Sequence, residues 1–159
     1  MFDVFGEFDS AEEINKTALG LRNEKDMDGL LTLCRENGLD PEDAKDFMDG
    51  CFDELANDLM AALGKIQVES DDLEPKDIME DWIGYIKLRC MEDGTMAKAV
   101  RRKGKSIKGC IAKIVRWSFE HSYDVDDDIR KMADINAKCK MGIPGMGQSK
   151  KIITEYYLN

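Results

Sequence analysis

One histidine, three prolines and no long apolar run set the first limits on this chain. His121 has no second histidine and no neighbouring cysteine, so neither a zinc site nor a nucleophile–histidine pair can be assembled around it. It reads as a helix-end residue facing the negative pole of the helix dipole. Cys34, Cys51, Cys90, Cys110 and Cys139 are odd in number, scattered and without a CxxC spacing, which suits reduced thiols in a cytoplasmic protein. The most apolar stretch, Leu30-Leu31-Thr32-Leu33-Cys34, is far below a membrane span. The opening Met1-Phe2-Asp3-Val4-Phe5 is acidic and lacks the apolar core of a secretory signal. No nucleophile–base pair and no carboxylate pair in an apolar setting stands out. The expectation is a non-enzyme without metal or cofactor.

What the chain does have is charge, sorted by position. Residues 1–60 hold seventeen acids and five bases, and residues 61–96 nine acids and four bases. Residues 97–116 then hold eight bases and no acid, and residues 117–159 return to near balance with six bases and seven acids. The total is −10. Such a polarised field steers association with partners of defined charge. The 159 residues suffice for one domain with a core, and 43% hydrophobic content excludes a disordered acidic tail.

The punctuation is helical throughout. Ser10 and Glu13 form a capping-box pattern, followed by Ile14, Ala18 and Leu21 on one side. A second helix spans about Asp26 to Asn37, closed by Gly38. Asp40-Pro41 opens a third, with apolar residues at Ala44, Phe47, Met48, Cys51, Phe52, Leu55, Leu59, Met60 and Leu63 in steps of three and four. That stripe predicts one long helix, with Gly50 weakening it and Gly64 closing it. Residues 65–74 read as a linker between an acidic half, 1–64, and a second half, 75–159. Pro75 opens a helix carrying Trp82, Ile83, Ile86 and Cys90. Thr95 and Ser106 cap two more, Asp126 another, and Ser149 the last. With no convincing strand pair, the fold class is all-α, a single bundle of about seven short helices.

Three motifs fail on inspection. Gly142-Ile143-Pro144-Gly145-Met146-Gly147-Gln148-Ser149 has the phosphate-loop spacing, but Gln148 replaces the lysine and no strand precedes it. Around Asp26-Met27-Asp28-Gly29 a calcium loop would need a glutamate where Arg35 stands, and in Asp124, Asp126 and Asp128 Ile129 replaces the essential glycine. Both acidic runs read as first turns of helices.

Two charged surfaces carry the functional reading. On the third helix Glu42, Asp46, Asp49 and Asp53 recur opposite the apolar stripe, one carboxylate per turn at about 5–6 Å. Like charges at this spacing repel and give the helix nothing locally. A row of this kind resembles the phosphates of a nucleic-acid strand and suits a basic channel, with Phe47 and Phe52 bracing it from behind. The basic patch, Lys98, Arg101, Arg102, Lys103, Lys105 and Lys108, admits three readings: contact with nucleic acid, docking on the acidic half of its own chain, or contact with an acidic partner. Sparse aromatics argue against a stacking platform for single strands, and the net charge against direct DNA binding.

The run Arg101-Arg102-Lys103-Gly104-Lys105-Ser106-Ile107-Lys108-Gly109-Cys110-Ile111-Ala112-Lys113-Ile114, followed by Asp126-Asp127-Asp128 and Met132-Ala133, resembles the PcfK-like family of conjugative and integrative elements. That family includes anti-CRISPR inhibitors of type II CRISPR effector nucleases. The opening Phe2-Asp3-Val4-Phe5-Gly6-Glu7-Phe8 is similar to small acidic proteins of such elements. The resemblance covers about the C-terminal third and assigns no functional residue. It implies a protein of a mobile element that binds an RNA-guided nuclease, with the basic segment meeting guide RNA or an acidic surface. The alternative is a nucleic-acid-binding or scaffold accessory of a conjugative element that uses residues 98–116.

Overall fold

Short apolar stripes separated by good caps produce nine helices, which hold 66% of the residues. The computed structural model describes residues 1–159. The helices are α1 (Ala11–Glu24), α2 (Met27–Asn37), α3 (Pro41–Met48), α4 (Asp58–Leu73), α5 (Ile78–Glu92), α6 (Gly94–Arg101), α7 (Ile107–Glu120), α8 (Asp127–Met132) and α9 (Met146–Leu158). No helix is long and apolar enough to cross a membrane. Two strands, β1 (Tyr123–Asp124) and β2 (Lys140–Met141), pair antiparallel in a ribbon that sequence periodicity did not announce. Two residues per strand are too few to show an alternating pattern.

Most caps fall where the side-chain chemistry puts them. Ser10 accepts from the Glu13 amide, Asp26 from Gly29, Asp40 from Glu42, Ser106 from Gly109, and Asp126 from Asp128 and Ile129. The acidic runs at Asp26 and Asp126 are thus helix starts. Three assignments shift. The helix expected to open at Pro75 starts at Ile78, after Asp77 at a positive φ of 52°. Asp93, not Thr95, caps α6 by accepting from the Thr95 amide at 2.9 Å. The last helix begins before Ser149, which is buried in its first turn and donates to the Gly145 carbonyl at 3.2 Å.

The main correction concerns the long third helix. The chain leaves α3 after Met48, and Gly50 takes a left-handed φ of 80°. Residues 49–57 run irregularly because α1 supplies replacement partners for their backbone. Arg22 donates to the carbonyls of Phe47 (3.4 Å) and Phe52 (3.2 Å). Asn15 accepts from the amides of Leu55 (2.9 Å) and Ala56 (3.0 Å) and donates to Ala56 (2.8 Å). The detour carries Leu55 and Ala56 into the core, and Phe52 stays 48% exposed. The helix then restarts and runs through residues 58–73, so the expected linker at 65–74 is the second half of α4, capped by Glu74. Gly64 does not end a helix. A β-carbon there would stand 2.1 Å from the Asn37 carbonyl oxygen, so glycine is what lets α4 cross the end of α2.

The core has two clusters joined through α4. One gathers Ile14, Leu30, Leu33, Phe47 and Leu55 with Ala61. The other gathers Ala62 and Ile66 with Trp82, Ile86, Val100, Ile107, Ile114 and Ile153. Successive faces of one helix thus serve both clusters.

Candidate functional site

Polar side chains collect where α4, α6 and the N-terminal strap (residues 1–9) meet. Lys65 is fully buried, and its Nζ donates to Glu7 Oε1 (2.6 Å) and the Arg102 carbonyl (2.8 Å). Glu69, one turn further along α4, lies 3.9 Å from the same nitrogen and accepts from the Ile107 amide at 2.7 Å. Arg101 is 1% exposed and donates to Asn37 Oδ1 at 2.8 Å. The strap is held by Glu36, whose carboxylate accepts from the amides of Asp3, Val4 and Phe5 at 2.7–3.0 Å. Glu7 and Asp9 accept from the amides of Gly104 and Lys103.

Burial dominates the electrostatics of this seam. It depresses the Lys65 ammonium and raises the Glu69 carboxyl, in each case against the help of nearby opposite charge. It also pulls the Arg101 guanidinium down to about 10. These groups are structural ties between the two core clusters. The thiols of Cys90 and Cys110 are pushed up to about 12 by burial, and that of Cys34 to about 11, which leaves them poorly nucleophilic.

The basic patch is therefore largely consumed by its own chain. Arg101 lies inside. Lys98 pairs with Asp58 at 3.6 Å, and Lys108 pairs with Asp72, whose carboxyl it holds below the usual range. Lys105 donates to the Tyr156 carbonyl at 2.6 Å and sits over that ring. Only the side chains of Arg102 and Lys103 remain exposed and without an ion pair among the six. Of the three readings of the patch, docking on the acidic N-terminal half describes Lys98 and Arg101, while Lys105 and Lys108 are taken up by Tyr156 and Asp72 outside that half.

The acidic row fares differently. Glu42, Asp46, Asp49 and Asp53 are all exposed, and none is in an ion pair. Their arrangement departs from the expectation of one per turn along one helix. Glu42 and Asp46 share a face of α3, Asp49 is its C-cap, and Asp53 follows the Gly50 reversal. Phe47 backs the row from the core, under the Arg22 guanidinium at 4.4 Å, but Phe52 does not. Asp46, Asp49 and Asp53 stand around the C-terminus of α3, the negative pole of its dipole, whereas Glu42 sits in the first turn.

Two further features complete the inventory. A cleft of about 700 Å³ opens between the starts of α1 and α4, where Asp9, Glu12, Glu54 and Asp58 face Lys98 and Arg102. Its mixed charges nearly cancel. His121 ends α7, its Nδ1 2.9 Å from the Trp117 carbonyl and its ring stacked on Trp117 at 4.2 Å. No three His, Cys, Asp or Glu side chains converge to hold a metal ion.

Sequence reasoning missed Lys65, Glu69, Glu7 and Asn37. The signal lay in the helical period: Lys65 and Glu69 fall three or four residues from Ala61, Ala62 and Ile66, in the apolar register of α4. A comparison with family models, curated proteins and solved structures returned no match.

Proposed function

We propose that this protein is a non-enzymatic inhibitor that occupies the basic nucleic-acid channel of an RNA-guided nuclease with its acidic face. The observation that carries the reading is the contrast in charge satisfaction. Glu42, Asp46, Asp49 and Asp53 remain in solvent without ion pairs, as does Lys45 on the same helix, whereas Lys98 and Lys108 of the basic segment are paired with Asp58 and Asp72. Leaving four like charges clustered costs stability, and an arginine-lined channel is a surface that would use them. Effector nucleases hold guide and target strands in such a channel. The partner class rests on the resemblance to PcfK-like proteins, and the mode of binding rests on the exposed carboxylates.

The test is inhibition of a purified type II effector nuclease by the wild-type chain and by the variant Glu42→Gln, Asp46→Asn, Asp49→Asn, Asp53→Asn. The variant should lose at least tenfold in potency, and wild-type potency should fall with added salt. Undiminished inhibition by the variant at moderate salt ends the acidic-face mechanism. A protein that shifts DNA or RNA by itself, through Arg102 and Lys103, would favour the accessory reading instead.

A further inference from the structure

From residue 115 to residue 143 no side chain is buried. This stretch holds the last turns of α7, the β1–β2 ribbon and α8, and it is braced by polar contacts instead of a core. Val125 donates to the Cys139 carbonyl at 3.1 Å, and Arg130, paired with Asp127 within α8, ties that helix to the Ala137 carbonyl. The ribbon returns against α7, because a β-carbon on Gly142 would stand 2.2 Å from the Ser118 carbonyl oxygen. The arm is thus seated on the body, with its apolar side chains facing water. Phe119 is 82% exposed and Met132 88%, with Tyr123, Ile129, Met141 and Ile143 between 57% and 65%. Tyr123 and Met141 are direct cross-strand partners and share one side of the ribbon. Ile129 and Met132, three apart, share one face of α8.

From these we infer that the arm is a self-association surface, through which two copies of this chain form a dimer. Two arguments select a second copy as the occupant. The first is area. The exposed fractions of those six side chains amount to on the order of 800 Å², which is what each partner contributes to an interface of standard size. The second is charge. Residues 117–159 hold six bases and seven acids, whereas residues 1–116 carry nearly all of the chain's −10. Contact through any acidic face would press two negative bodies together. Contact through the arm places a near-neutral, mixed-sign surface between them, where Lys138 and Lys140 of one copy can meet Asp126 and Asp128 of the other in an isologous arrangement. The acidic row lies elsewhere, so the inference stands independently of the inhibitor reading.

Sedimentation equilibrium of the full chain decides it. The expected result is a concentration-dependent dimer with an association constant that rises from about 50 to about 300 mM salt, because screening relieves repulsion between acidic bodies while an apolar contact persists. Phe119→Asp, and separately Met132→Asp, should each weaken the dimer at least tenfold, with helical circular dichroism unchanged since neither side chain is in the core. A wild-type chain that stays monomeric up to roughly 100 μM overturns the inference, whether the arm then takes another protein or nothing. So does a dimer that both substitutions leave intact, or one that dissolves as salt rises.

Discussion

The acidic row and the basic segment are equally dense charge runs in the sequence, and the fold treats them in opposite ways. Around α3 the carboxylates stay in water, each unpaired. In the basic segment Arg101 goes inside, Lys98 and Lys108 meet aspartates of α4, and the backbone of residues 101–104 is gripped by Lys65, Glu7 and Asp9. Neighbourhood explains the difference. Seven of the 23 lysines and arginines are in ion pairs, among them Lys98 and Lys108 beside Asp58 and Asp72 of α4, and none of the seven pairs with the acidic row. In a strongly acidic protein a basic cluster is thus a candidate for internal use, and an acidic cluster left alone is the more informative surface.

The largest effect should come from the seam. Lys65→Met removes the cation between Glu7 and Glu69 and leaves a buried carboxylate uncompensated, so the loss expected in urea denaturation is about 3–5 kcal/mol. Adding Glu69→Gln should recover part of that loss, since it removes the stranded charge. If Lys65→Met is as mild as a surface substitution, the seam is not the tie described here and the contrast with the acidic row fails.

Next in size is the close approach that lets Arg101 reach Asn37. Gly64→Ala should cost about 1–3 kcal/mol, because the new methyl meets the Asn37 backbone. The same substitution at Gly84, exposed in α5 with open space beside it, should instead gain about 0.5–1 kcal/mol from helix propensity. Opposite signs from one chemical change would show that α4 is pressed against α2 and not merely helical. Equal signs would remove the packing argument.

These sites also mark how far the sequence could be read. Helix identity and most caps were legible, because Ser10, Asp26, Asp40 and Ser106 each act on amides two or three residues away. The break after Met48 was not. An unbroken apolar period runs through Phe47, Cys51 and Leu55, and what ends the helix is Asn15 and Arg22, about 25–40 residues distant, competing for its backbone. The acidic row was legible as a cluster, and its shape was not, for the same reason. Arg101 and Lys65 were misjudged or overlooked because charge was weighed before helical phase.

A smaller, pH-dependent effect separates buried from exposed carboxylates. Burial raises the folded-state pKa of Glu69 above its usual value, so the folded protein takes up its proton at higher pH than the unfolded chain does. The stability linked to Glu69 is therefore fully present below about 4.5 and is lost as pH rises through the raised value. Asp72, held down by Lys108, behaves in the opposite sense: its contribution is present above about 3.8 and is lost as pH falls through the depressed value. Denaturation of the wild type and Glu69→Gln between pH 7 and pH 5 checks this, since glutamine does not titrate. The difference should move in favour of the wild type on acidification. A shift the other way would mean that Lys65 holds Glu69 ionised and that burial is not the stronger influence.

The smallest effect belongs to the acidic row, and its smallness is the point. Carboxylates that touch nothing should be dispensable to the fold, so the fourfold neutral variant should match the wild type within about 0.5 kcal/mol per site or exceed it slightly as repulsion is relieved. Cys51 gives an independent handle, for it is exposed between Asp49 and Asp53, while Cys34, Cys90 and Cys110 are buried with raised pKa values. A maleimide at pH 7 should label Cys51 first and the three buried thiols only on unfolding. A bulky label there should leave the melting temperature in place and impair any binding that uses the row. If the label or the neutral variant unfolds the protein, those acids are structural after all, and the distinction between satisfied and unsatisfied charge loses its functional meaning.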